Sequence, residues 1–162
     1  MSVSEQAFDP QDIHRARVQC HSGDVQVHWA DVPQVRVRGE FCQAKLTDSE
    51  LRVEQLSRGT LRNLVSGSDI EVWLPRGFDE VRVDLQHGDA NLEEPHGEVR
   101  VRVDHGDIRI IGGDGSISAR TGAGDLHLRD FKGEFAYNSG AGSARLRDLD
   151  GDISLQLGVG DV

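Results

Sequence analysis

Asp89, Asp107 and Asp125 return at steps of 18 residues, and Ser143 and Asp161 continue the series. Carboxylates that recur at a fixed interval can line one edge of a repeating fold, where clustered oxygens form the donor set a calcium ion takes. Stacked one strand apart, about 4.8 Å, neighbouring carboxylates repel by about 1 kcal/mol in water, and a cation would relieve that. The plainer account is turn chemistry, in which Asp or Ser beside a glycine hydrogen-bonds the local backbone. The calcium roll, with its G-G-x-G-x-D-x-U-x unit, decides between them. The tandem glycines Gly112-Gly113-Asp114-Gly115 run on into Ser116 and Ile117, so Ile stands where the ligand Asp belongs. Turn chemistry is favoured, and Asp89, Asp107 and Asp125 stay as the candidate cation ligands.

A second group is basic. Arg109, His127 and Arg145 share one phase of the interval, and Arg129 and Arg147 share another. Four guanidiniums and an imidazole on a flat sheet face could grip phosphate or an acidic glycan, because each guanidinium offers a planar fork of donors. Against this, Asp130, Asp148 and nearby acids could pair with them as a solvated face. The net charge of −10 disfavours nucleic acid as a partner. Histidine offers less. His87 and His105 share a phase, but Ala123, Ala141 and Val159 follow them, and a structural zinc site takes four ligands. His96 falls on the opposite edge. Cys20 and His21 are adjacent on a strand and point to opposite faces, so they do not combine with His28 and Cys42 as ligands. Cys20 reads as a small core residue. No nucleophile elbow, P-loop or H-E-x-x-H run is present. Gly122-Ala123-Gly124 is not a dinucleotide loop, since no helix follows it. The expectation is no enzyme and no cofactor.

These side chains are positioned by a repeat. Gly88, Gly97, Gly106, Gly115, Gly124, Gly133, Gly142, Gly151 and Gly160 stand nine residues apart. An acid or Ser follows each glycine, and apolar residues recur two and four positions on, as in Ile108 and Ile110 or Leu126 and Leu128. Apolar residues two apart face one side of a strand, and glycine supplies the positive φ of a tight corner. Successive units differ at their connectors (Pro95, Gly113, Phe131 and Leu149 against Asp104, Gly122, Gly140 and Gly158), so the full period is 18 residues. The spacing predicts an all-β, two-sheet parallel β-solenoid over residues 79–162, with 18 residues per coil in nine-residue half-coils. Stability in such a fold comes from stacking.

Upstream, residues 12–78 keep alternating apolar pairs but lose the period. They read as an irregular β-rich N-terminal cap, since terminal repeats are usually atypical. Residues 1–11 read as a flexible end. Within Lys45–Leu61, a strand over Leu51–Leu56 is preferred to a short helix. Hydrophobic content is 36% and aromatic content 5%, so the core must rest on aliphatic side chains. No apolar run of about 18 residues could span a membrane. The N-terminus does not read as a secretory signal, and as written the chain is expected in the cytoplasm, or at the envelope if it is a fragment.

His105-Gly-Asp-Ile-Arg-Ile110 and Ala123-Gly-Asp-Leu-His-Leu128 resemble the repeats of the bacterial putative-adhesin family, and Ile70-Glu-Val-Trp-Leu-Pro75 and Ser22-Gly-Asp-Val25 look like its strand entries. The resemblance covers residues 12–162. It implies a β-solenoid with an envelope-related or scaffold role, and no functional residues to carry over. The expected function is a non-catalytic, adhesin-like structural scaffold or interaction module. Alternatives are a binding module for an anionic ligand (glycan, phosphate or nucleic acid) on the arginine face, and a cation-stabilised β-roll. The expected partner is a protein, or a second copy meeting a sheet edge or face.

Overall fold

A computed structural model describes residues 4–8, 13–30, 34–39, 42–47, 49–55, 69–75 and 79–160. In chain order its strands are β1 (Ser4–Phe8), β2 (Arg15–Ser22), β3 (Val25–Ala30), β4 (Val35–Gly39), β5 (Cys42–Thr47), β6 (Glu50–Gln55), β7 (Ile70–Pro75), β8 (Glu80–His87), β9 (Ala90–Glu93), β10 (Glu98–His105), β11 (Ile108–Ile111), β12 (Asp114–Ala123), β13 (Leu126–Arg129), β14 (Lys132–Ala141), β15 (Ala144–Arg147) and β16 (Ile153–Val159). They form two open eight-stranded sheets. Sheet A runs β1-β4-β7-β3-β9-β11-β13-β15, and sheet B runs β16-β14-β12-β10-β8-β2-β6-β5. The protein is all-β with two mostly parallel sheets. Only the β1–β4, β4–β7 and β5–β6 pairs are antiparallel among the described strands.

From β8 onward the chain alternates between sheets, and each strand pairs in parallel with the strand 18 residues away, as Glu98 with Glu80 and Ser116, and Ile108 with Ala90 and Leu126. The in-register pairing lines up equivalent apolar side chains. Ala16, Val81, Val99, Ile117 and Phe135 form one inward row of sheet B. Val25, Ala90, Ile108, Leu126 and Ala144 form the facing row of sheet A. All are buried, and Val25, Val81, Val99 and Ile108 are wholly inaccessible. Each Val, Leu, Ile or Phe among them contributes about 1.5–3 kcal/mol by leaving water. Phe131, at a corner, is also fully buried and meets Phe135 edge-on at 6.0 Å. On β16, which has one neighbour, Ile153, Leu155 and Leu157 are only half-buried.

The N-terminal layers are stacked out of chain order. β2 and β3 lie directly under β8 and β9, with Arg15 beside Glu80 and Val25 beside Ala90. The chain then runs outward to β4 and β5 and returns as β6 and β7, which sit beyond β2 and β3. The antiparallel strands β1, β4 and β5 thus stand at this end of the two sheets.

Two sequence expectations meet particular strands here. Ser4–Phe8, expected to be flexible, pairs with β4, because that edge would otherwise leave its backbone donors and acceptors unmatched. Leu51 and Val53 form β6, turning from β5 at Ser49 with φ 68°, and the rest of Leu56–Leu61 lies outside the described residues. The helix alternative fails at β6 because both side chains must reach the core, where they are wholly buried, on a two-residue period.

Candidate functional site

The acidic residues form a hydrogen-bonded ladder. Asp107 N–H donates to Asp89 Oδ1 at 2.9 Å, Asp125 N–H to Asp107 Oδ1 at 2.8 Å, and Ser143 N–H to Asp125 Oδ1 at 2.9 Å. Two further rungs extend it: Asp89 N–H donates to Asp24 Oδ1, and Asp24 N–H to Asp69 Oδ1, both at 3.0 Å. Each carboxylate therefore satisfies the corner amide of the adjoining layer. Among the described residues no three potential His, Cys, Asp or Glu ligands converge on a metal position.

The nine periodic glycines all have positive φ. The reason is clear at Gly106, where φ is +147° and a Cβ would overlap the carbonyl oxygen of Gly88 in the layer below. Corners pack backbone on backbone, and only glycine permits that approach.

Arg109, His127 and Arg145 lie side by side on the outward face of sheet A, and Arg129 and Arg147 form the adjoining row. Arg129 Nε donates to Asp130 at 3.1 Å. Among the described residues Arg109, His127, Arg145 and Arg147 make no side-chain hydrogen bond or ion pair. Arg147 does not engage Asp148, whose φ of 53° belongs to the next corner. His127, Arg129, Arg145 and Arg147 also line one hollow with Leu128, Ala144 and Leu146. At the other end of this face, His28 lies 2.8 Å from Glu93 and 3.7 Å from Glu71 and stacks on Trp73.

The outward face of sheet B holds an arginine row, Arg52, Arg17, Arg82 and Arg100 on four neighbouring strands, of which sequence spacing reveals only the Arg82–Arg100 pair. Acids on the same or adjoining strands pair with it. Arg52 meets Glu50 at 2.9 Å, Arg82 meets Glu80 at 2.6 Å, Arg100 meets Glu98 at 3.2 Å, and Arg17 approaches Asp84 at 3.9 Å. The Arg82 hydrogen bond holds the Glu80 carboxyl below its ordinary range, against the opposing effect of burial, and the same bond raises Arg82.

The histidines are stacked rather than convergent. His87 and His105 lie ring on ring at 5.3 Å, and His21 meets His87 edge-on at 6.0 Å. His96 pairs with Asp114 at another corner. Cys20 is buried, with its Sγ 4.0 Å from the Gly23 carbonyl oxygen, as its core assignment requires.

The chain is similar to bacterial putative adhesins of known structure. A putative cell adhesion protein from Clostridium sporogenes matches over 99% of both chains, at 8% identity and a TM-score of 0.47. A putative adhesin from Bacteroides fragilis matches over 99% of this chain and 97% of its own, at 9% identity and a TM-score of 0.39. A putative lipid binding protein from Parabacteroides distasonis matches over 99% of this chain and 96% of its own, at 9% identity and a TM-score of 0.36. No family model and no curated protein matches the sequence. No residue role passes from these proteins to this chain. Among the described residues no helix is long and apolar enough to cross a membrane.

Proposed function

We propose that the chain is a non-catalytic, adhesin-like interaction module: a β-solenoid of 18-residue coils whose flat outer faces present side chains on a rigid lattice. The observation that carries the reading is the 18-residue parallel register from β8 to β16. Such a register fixes outward groups about 4.8 Å apart across strands, so a partner meets a pre-ordered surface and little ordering entropy opposes binding. The polar groups of interest stand on open faces and corners, which suits surface contact.

A test is adhesion under flow. Inert beads coated with the chain are driven over a layer of bacterial cells, beside beads coated with an acidic control protein of matched charge. Retention well above the control is expected. Retention equal to the control removes the adhesin-like reading.

A further inference from the structure

On β11, β13 and β15 the outward positions are Arg109, Ile111, His127, Arg129, Arg145 and Arg147. No acid shares these positions. The four arginines are exposed, and only Arg129 has a partner among the described residues. Sheet B carries as many aligned arginines, yet acids on their own or adjoining strands neutralise them. A protein of net charge −10 thus leaves an unneutralised basic patch on one half of one face.

We propose that this patch binds a linear acidic polysaccharide, its anionic groups lying across β11, β13 and β15; the inference rests on the interaction-module reading and names its ligand class. Guanidinium forks match carboxylate and sulfate geometry and bind them in bidentate fashion. Arg129 and Arg147 stand one strand spacing apart, about 4.8 Å, and Arg109 and Arg145 two, an array that suits a chain of regularly spaced anions rather than a single ion. Nucleic acid fits less well. The patch has no Phe, Tyr or Trp on which a base could stack. A second copy also fits less well. The outward acids beside the patch on this face, Glu93 on β9 and Glu71 on β7, already flank His28 and are too few for four arginines.

The experiment measures binding of labelled polygalacturonate and dextran sulfate to the intact chain, with neutral dextran and an oligothymidylate as comparisons. Both acidic polysaccharides are expected to bind and neutral dextran is not. The triple variant R109A/R145A/R147A should weaken binding at least about tenfold through loss of bidentate contacts, with a melting temperature no lower than that of the wild type. R82A/R100A, which removes two paired arginines from sheet B, should stay within about twofold, since those charges are already neutralised. Binding should also collapse in about 1 M salt, where the screening length falls to about 3 Å. If the triple variant does not fold, the wild-type salt titration decides, and binding indifferent to salt overturns the proposal. So does absence of polysaccharide binding, an unaffected triple variant, or oligothymidylate bound as tightly. Concentration-dependent mass growth by light scattering, abolished in the triple variant, would instead assign the patch to a second copy. The same variant on beads separates the two claims: adhesion that survives it removes the basic patch alone, whereas wild-type beads that fail to adhere remove the module reading.

Discussion

Replacing Asp107 separates the two things its carboxylate can do: accept the Asp125 amide, at 2.8 Å, and carry charge between Asp89 and Asp125. With neighbours one strand spacing away, each repulsion is about 0.9 kcal/mol in water, or about 1.7 kcal/mol for the pair. Salt at about 0.15 M roughly halves that. A backbone amide bonded to a charged acceptor contributes about 1.5–3 kcal/mol, and to a neutral one about 0.5–1.5 kcal/mol. Asp107→Asn keeps an oxygen acceptor. It loses about 1 kcal/mol of charge assistance and regains about the same in relieved repulsion, so it should lie within about 0.7 kcal/mol of the wild type. Asp107→Ala leaves the Asp125 amide to water and should fall about 1 kcal/mol below it. Urea unfolding followed by circular dichroism measures both. At low salt the Asn variant should gain on the wild type, and at high salt the gain should vanish. Added calcium should shift neither. If Asn proves as damaging as Ala, or calcium stabilises the wild type and not the Asn variant, the charge rather than the hydrogen bond is what the ladder uses, and the reasoning fails.

Gly106→Ala should cost about 1–3 kcal/mol from its backbone conformation alone, and more from the overlap with the Gly88 carbonyl. A thermal melt that matches the wild type would show the corners to be looser than described. Removing residues 106–123, one full period, should leave a folded protein with the same far-ultraviolet spectrum, since each layer repeats its neighbour's contacts. Removing residues 106–114 should abolish the cooperative melt, because the next strand would reach the wrong sheet; equal melts for the two deletions would refute the 18-residue coil. Glu80 gives a pH dependence. Its folded pKa is lowered, so its contribution is complete above the unfolded value of 4.5 and is lost as pH falls through the folded value. Glu80→Gln should therefore flatten the acid limb of stability below pH 4.5 and leave its shape near neutrality unchanged. An unaltered acid limb would contradict that assignment.

The register from β8 to β16 is legible because chain period and stacking period coincide there. The glycine and acid phases, and the neighbouring of Arg109 with His127 and Arg145, follow from counting to 18. Counting fails below β8. Arg17 stands beside Arg52 and Arg82, 35 and 65 residues away, since β4 to β7 intervene between one layer and the next. For the same reason Asp24 and Asp69 were invisible as rungs of the ladder, although Ser22-Gly23-Asp24-Val25 has the right local motif. A local motif can place a residue at a corner, but only long-range pairing can say which corner adjoins it. β1 is illegible on different grounds: its pairing is dictated by the exposed edge of β4 and not by a pattern of its own.

In-register stacking has a general cost that the two faces meet differently. It sets identical side chains beside one another, and like charges directly opposite across strands are destabilising. Sheet B answers with acids two residues along the same strand, as Glu80 to Arg82 and Glu98 to Arg100. The corner ladder answers by turning each carboxylate onto an amide of the adjoining layer. On β11, β13 and β15 neither device is applied to Arg109, Arg145 or Arg147 among the described residues. Substituting Arg147, which stands directly opposite Arg129, should then raise stability slightly, by the repulsion it relieves, while weakening polyanion binding. A paired arginine such as Arg100 should show neither change. That opposite movement of stability and affinity separates a binding surface from an ordinary solvated face, on which loss of an arginine changes neither quantity in a linked way.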